Sequence, residues 1–352
     1  MNSRERILAA INCEPVDRIP TDMWATAEVR RKLTDYFGEG VSLWKELHID
    51  GMGYVFPRYA GPAPPAAPEG ESVDFWGVRT KRVPHEGGAY DEVSFCPLAS
   101  VQTLDDLDAY AWPQADWFDY SHMRERAERV RKTRVVNCGA MMPFFHHNAL
   151  RGLEQSLLDP LVEPELTHEI LKRLTDFFYE QYFRIFETCE GLIDLAGVTD
   201  DLGSQVGPLM SLDVYREFYA PHHKRLIDLC HEFGVKVFHH DDGGIRPFIP
   251  ILVDMGIDVL NPIQWACRDM DMKELKSKFG GKICFHGAIE NQKILPFGTP
   301  EDVREEVRHC IDSLASDGTG YILASCHNIQ VNTPVENIIA MYDEAWHYGK
   351  MA

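Results

Sequence analysis

From about residue 130 the chain alternates two hydrophobic patterns. Short apolar runs read as strands at 134–139, 191–197, 235–238, 257–262, 282–287 and 320–325. Between them lie longer stretches with apolar positions at helical spacing, at 150–188 (with a break expected near Asp159-Pro160), 211–233, 246–255, 271–279, 300–316 and 334–348. Strands separated by helices of this length predict parallel pairing with crossover connections. An earlier run, Gly51-Met-Gly-Tyr-Val-Phe56, supplies one more strand. No Gly-x-Gly-x-x-Gly follows a strand and no P-loop is present, which weakens a nucleotide-binding open sheet. The pattern therefore predicts an α/β protein, a single distorted TIM barrel over residues 1–352. The proline- and glycine-rich stretch 57–100 is read as an insertion forming a β-hairpin lid.

Each predicted strand runs into polar residues or glycine: Asp200-Asp201, His240 to Asp242, Asn261, His286-Gly287 and Cys326-His327-Asn328. Strand carboxyl ends are where barrels and open sheets place their sites. The densest cluster is Val235-Lys-Val-Phe-His-His-Asp-Asp-Gly-Gly-Ile245. Residues i and i+2 of a strand share a face, so His240 and Asp242 are expected to converge while His239 and Asp241 face elsewhere. With Cys326 from another strand end they would make a three-ligand set with an open position, as in catalytic zinc sites; alternatively Asp242 and Cys326 only line a substrate pocket.

Adjacent Asp200 and Asp201 cannot both be hidden without partners. One is expected to hold a helix N-terminus or an arginine while the other meets a ligand. His286 either faces the site or is a core histidine bonded to a backbone carbonyl. Glu154 is either a fourth metal ligand or a partner for Arg151. His146 and His147 are read as pocket or loop residues, because adjacent side chains diverge.

Composition narrows the partners. The 35 basic against 55 acidic residues give a net charge of −20, which argues against nucleic acid and anionic membranes. No run approaches the roughly 20 apolar residues of a membrane span, and the opening Met1-Asn-Ser-Arg-Glu-Arg-Ile-Leu lacks the pattern of a signal peptide, so a cytoplasmic location is expected. The nine cysteines form no C-x-x-C pair. In a reducing compartment most should be small buried hydrophobes, Cys326 being the one in a polar setting.

Several long motifs carry a family resemblance. They are Arg4-Glu-Arg-Ile-Leu-Ala-Ala-Ile-Asn-Cys-Glu-Pro-Val-Asp-Arg-Ile-Pro20, Leu150-Arg-Gly-Leu-Glu154, Asp200-Asp-Leu-Gly-Ser-Gln-Val-Gly-Pro208, Leu295-Pro-Phe-Gly-Thr-Pro300 and Gly320-Tyr-Ile-Leu-Ala-Ser-Cys-His-Asn-Ile-Gln330. Across the whole chain the sequence resembles the uroporphyrinogen decarboxylase superfamily. The resemblance implies a TIM barrel and one of two chemistries: cofactor-free decarboxylation of a porphyrinogen, or zinc-dependent methyl transfer involving a corrinoid protein. Decarboxylases of that family carry Arg-Gln-Ala-Gly-Arg after the Asp-Arg-x-Pro start. Here the stretch is Thr21-Asp-Met-Trp-Ala-Thr-Ala27, and Arg30 and Arg31 do not fit the motif. A polycarboxylate needs bidentate arginine contacts, so the methyltransferase branch is closer.

Members of that branch bind zinc through His-x-Cys and a later Cys. The first His matches His240, the first Cys falls on Asp242, the later Cys matches Cys326, and Glu154 resembles an acidic residue some members offer to the metal. The departure at Asp242 makes the set harder and suits an oxygen-bound methyl group better than a thiol. The resemblance thus implies a Zn²⁺-dependent demethylase of a methoxy or similar small-molecule donor that passes the methyl to a corrinoid on a partner protein. Asp200, Asp201 and Asp242 would act on the substrate, with Gln205, His286, His327, Asn328 and Arg151 lining the pocket. The alternative is a metal-free lyase or decarboxylase of a small carboxylated or aromatic substrate, with Asp242 or Asp201 as general acid–base. A non-enzymatic binder is the third reading, and a homodimer is among the expected assemblies.

Overall fold

The computed structural model describes residues 1–85 and 88–351, and residues 86–87 of the expected insertion lie outside them. Its centre is a curled sheet of seven parallel strands: β1 (Met52–Val55), β2 (Val135–Met141), β3 (Leu195–Val198), β4 (Lys236–His240), β5 (Val259–Asn261), β6 (Cys284–Ile289) and β7 (Tyr321–Ser325). Their order in the sheet is their order in the chain, and every pairing is parallel. Consecutive parallel neighbours require a crossover each time, which the intervening helices supply.

An extended segment at Pro20–Asp22 touches both outer strands. Leu323 of β7 donates its N–H to the Pro20 carbonyl at 2.9 Å and accepts from Asp22 at 2.9 Å. On the other side, the Asp50 and Gly51 amides at the foot of β1 donate to the Thr21 carbonyl at 3.1 and 3.0 Å. The sheet is thereby curled until its two edges share one strand-like segment, giving a TIM-barrel-like architecture.

The strands are buried on both faces because helices cover the outside: β3 and β7 are buried at every position. The longest helix, Pro164–Thr188, buries Leu166, Ile170, Leu174, Phe178 and Ile185 at helical spacing. Each such side chain contributes about 1.5–3 kcal/mol by leaving water. Tyr182 on the same face fixes the helix against the sheet, its hydroxyl donating to the Gly197 carbonyl at 2.5 Å. Gly139 makes room for it: a Cβ there would lie 2.2 Å from the tyrosine oxygen, and its φ of +68° is left-handed.

The helical region 150–188 differs from expectation. It is three helices, Pro143–Arg151, Leu153–Val162 and Pro164–Thr188, with breaks at Gly152 and at Glu163, the second a few residues past Asp159-Pro160. Pro164 occupies the first turn of a new helix, where its missing N–H costs nothing, while Pro160 is accommodated inside Leu153–Val162. Within 57–100 three antiparallel strands pair, Glu71–Val73, Arg79–His85 and Gly88–Phe95. Among the described residues no helix is long and apolar enough to cross a membrane.

Candidate active site at the strand carboxyl ends

The alternation of β4 sorts its last residues as their spacing predicts. His239 and Asp241 turn away from the face that carries His240 and are buried, His239 against His223 of a covering helix: the His239 Nδ1 meets the Val198 carbonyl at 2.7 Å, and Asp241 accepts from the Leu202 amide at 2.8 Å, anchoring the loop after β3. Burial, and then the charge of Asp200, push the Asp241 carboxyl well above its usual range. His240 and Asp242 face the other way, with His240 Nε2 at 3.7 Å from Asp242 Oδ2. His327, just past β7, brings its Nε2 to the same oxygen at 3.7 Å. Among the described residues, His240, Asp242 and His327 form the group whose ligand atoms all lie within 4.8 Å of one another.

The backbone after Asp242 explains how the group is held. Gly243 has φ +90°, and a Cβ on it would meet the Ser204 carbonyl oxygen at 2.6 Å, so the turn packs backbone to backbone against the loop at Gly203–Ser204. The glycine pair thus serves a close approach, here to the protein's own chain.

These three residues fit a metal. Asp242 Oδ1 is buried and has no hydrogen-bond partner among the described residues, and the two imidazole nitrogens stand too far from Oδ2 for hydrogen bonds yet near enough to share an ion with it. Burial lowers the His327 pKa, which favours its neutral, ligating form. Two imidazoles and a carboxylate are a donor set used by catalytic zinc.

The other expected ligands are elsewhere. Cys326 is buried and points its Sγ at the Ile263 carbonyl, 3.4 Å away, beside a small side pocket with Gln205, Gln264 and Cys267. Glu154 is exposed on the helix Leu153–Val162, and the structure does not bring it to the cluster. Nor does it pair with Arg151. Arg151 is buried and committed to Asp159, through Nε at 2.6 Å and Nη2 at 2.9 Å, with Nη1 donating to the Leu98 and Val101 carbonyls. With its donors spent internally it does not serve as a substrate anchor, which corrects the expectation from sequence.

The aspartate pair divides as expected of adjacent carboxylates. Asp200 is buried, accepting from the Phe144 and Phe145 amides at 3.0 and 2.8 Å at the start of helix Pro143–Arg151 and from His223 Nε2 at 2.8 Å. Asp201 lines a cleft of about 600 Å³ together with Asp242, Phe145, Leu153, Leu209 and Val93. Burial, opposed by the charge of His240 and reinforced by neighbouring carboxylates, pushes its pKa up to about 7. Among the described residues lining this cleft the charged ones are Asp201 and Asp242. Gln205 is exposed and its Oε1 lies 3.5 Å from Cys267 Sγ. Asn328 is half-buried, its carbonyl accepting from Gln330. His146 is half-buried with its Nδ1 on the Met142 carbonyl, and His147 is buried against Tyr219 and Asp159.

His286 is a core residue, but its partners are side chains: Asn261 Nδ2 at 2.7 Å from Nδ1 and Asp22 Oδ2 at 3.3 Å from Nε2. Asn261 in turn holds His240, its Oδ1 2.5 Å from the histidine Nδ1. Trp24 packs against the His240 ring at 5.4 Å between centroids and donates Nε1 to Asp22. In the sequence Asn261 is legible only as a polar strand end, and Asp22 and Trp24 carry no signal of their own. The signal was the strand-end position of Asn261, opposite His240 in register.

The fold and site together define a parallel α/β enzyme-like scaffold with titratable groups gathered at its strand carboxyl ends. The family model described as "Uroporphyrinogen decarboxylase (URO-D)" matches residues 99–348, and the chain belongs to that family. It is 26% identical over 202 residues to a methylated-thiol–coenzyme M methyltransferase from Methanosarcina mazei, a match covering 56% of this chain and 49% of the relative. It is 21% identical over 206 residues to a uroporphyrinogen decarboxylase from Dechloromonas aromatica, covering 54% and 50%. The chain thus spans about half the length of these two relatives. A uroporphyrinogen decarboxylase from Vibrio campbellii is 20% identical with 97% and 96% covered. Among solved structures, a methyltransferase from Methanosarcina mazei superposes with a TM-score of 0.69 at 17% identity, covering 99% of both chains, which supports the fold.

Proposed function

We propose that the chain is a metal-dependent methyltransferase that demethylates a methoxy or similar small-molecule donor and passes the methyl to a corrinoid on a partner protein. The observation that carries this reading is the convergence of His240, Asp242 and His327 at the edge of a largely apolar cleft. These three residues would hold zinc, which when bound supplies Lewis acidity toward a donor oxygen. A set of two imidazoles and a carboxylate is harder than one with thiolates, which suits oxygen over sulfur as the leaving atom.

The remaining roles fall to the chain's own groups. Phe145, Leu153 and Leu209 hold the apolar body of the donor and exclude water from it. In the transfer the carbon–oxygen bond breaks with its electron pair on oxygen, and the methyl leaves as a cation equivalent to the partner's reduced corrinoid. Asp201, facing the same cleft, is the acid placed to give the departing oxygen its proton.

A metal-free lyase using Asp242 or Asp201 keeps one favourable observation, the raised pKa of Asp201. A carboxylated substrate would meet two acids and no cation among the described residues of the cleft. Turnover of an aryl methyl ether with a reduced corrinoid protein, with and without chelator, separates the readings. Demethylation abolished by chelation and restored by zinc is expected; decarboxylation that survives chelation would replace this proposal with the lyase.

A further inference from the structure

A histidine offers a metal only the ring nitrogen that carries no proton, so something must decide which nitrogen that is. For His240 the deciding groups form a buried file leading away from the site. Asp22, nearly fully buried, lies with Oδ2 at 3.1 Å from Trp24 Nε1 and 3.3 Å from His286 Nε2. Both contacts require donors aimed at a carboxylate. Burial would raise the Asp22 pKa, but hydrogen bonds from the His286 N–H, the Met23 amide and the Trp24 indole oppose it, and the carboxyl is held below its usual value. An ionised Asp22 only accepts, so His286 carries a proton on Nε2. In the neutral ring its Nδ1 then accepts, and it receives the Asn261 amide nitrogen at 2.7 Å. That orientation turns Asn261 Oδ1 toward His240 Nδ1 at 2.5 Å, and an amide oxygen only accepts.

We propose that Asp22, His286 and Asn261 form a relay that sets the tautomer of His240, keeping the proton on Nδ1 and the lone pair of Nε2 aimed at Asp242 and His327. The relay deepens the metal-site reading and rests on it for its purpose, though the tautomer is a property of the protein alone. The relay meets His240 at Nδ1, the nitrogen opposite the one beside Asp242, so Asp22, His286 and Asn261 are positioning residues. Trp24 packs at an angle against the rings of both His240 and His286, with centroids 5.4 and 5.9 Å away.

The test is nitrogen-15 NMR of the full chain labelled at histidine, in chelator, with the His240 signal among the 15 histidines assigned by its loss in His240→Gln. The wild type is expected to show His240 protonated at Nδ1 and bare at Nε2. Asn261→Asp, which still accepts, keeps that form. Asn261→Leu leaves Asp242 as the acceptor and moves the proton to Nε2, and Asp22→Leu removes the bias at the far end, so the Nδ1–H form loses its majority. Zinc affinity read by competition with a chelating dye should fall roughly tenfold to a hundredfold in Asn261→Leu and stay within a few-fold of wild type in Asn261→Asp. A wild-type His240 protonated at Nε2 overturns the proposal, as does Asp22→Leu with an unchanged His240 tautomer. If the tautomers shift as expected but no variant or wild type binds zinc, the relay stands and the metal reading fails.

Discussion

Asp200 and Asp201 are neighbours in the chain with opposite surroundings. The first accepts two backbone amides and a histidine N–H in the interior, and the second opens onto the cleft with its pKa pushed up to about 7. The contrast has a consequence for stability. An unfolded aspartate ionises near 3.9, so the folded state binds the Asp201 proton more tightly. Ionising it in the folded state therefore costs stability, a penalty absent below about pH 4, growing up to about pH 7 and complete above that. In chelator, Asp201→Asn should raise the Tm at pH 8 and leave it nearly unchanged at pH 4.5. A uniform shift at both values would show that the carboxyl is not strained by its surroundings.

The Arg151–Asp159 pair gives the reverse case. Burial alone would raise the Asp159 pKa, but hydrogen bonds from Arg151 and Gln155, with the His147 ring 3.5 Å away, overcome it and hold the carboxylate well below its usual range. Its stabilisation is present above the unfolded pKa and lost as pH falls through the folded one. Asp159→Asn leaves a buried guanidinium unpaired, and urea denaturation at pH 7 should read a loss of about 3–5 kcal/mol. A change below about 1 kcal/mol would mean that Arg151 finds another partner or water.

Gly243 should tolerate nothing larger. Gly243→Ala forces a Cβ against the Ser204 backbone at a left-handed φ, so both stability and metal retention should fall, the former by about 1–3 kcal/mol. Retained wild-type zinc content in a stable Gly243→Ala protein would show that the turn does not set the position of Asp242.

Cys326 separates the ligand sets. It is 3% exposed with its Sγ on a carbonyl, so iodoacetamide should label it slowly in the folded protein both with and without chelator. Labelling that rises sharply on chelation would return Cys326 to the ligand set in place of His327.

The strand-and-helix alternation made the sheet legible, because parallel strands buried on both faces leave continuous apolar runs and their polar ends mark one rim. The convergence of His240 with Asp242 was legible for the same reason, being a matter of strand period. What stayed hidden were pairings across large sequence separations. Asp22 meets His286 from the segment that joins the sheet's two edges, and nothing in Thr21-Asp-Met-Trp24 states that contact. Which of Cys326 and His327 stands beside Asp242 was also out of reach, because β7 is buried on both faces and its period alone does not say which of two adjacent residues faces the rim. Arg151 was misread since its partner Asp159 lies eight residues on in a different helix, beyond the break at Gly152, and no local spacing states that contact.

The central claim is that His240, Asp242 and His327 hold one metal ion. Elemental analysis of the purified chain, compared with His240→Ala, His327→Ala and Cys326→Ala, tests it most directly. About one zinc per chain in the wild type and in Cys326→Ala, with little in either histidine variant, is the predicted result. A wild-type protein without bound metal, or one in which Cys326→Ala loses it and His327→Ala does not, would contradict the account.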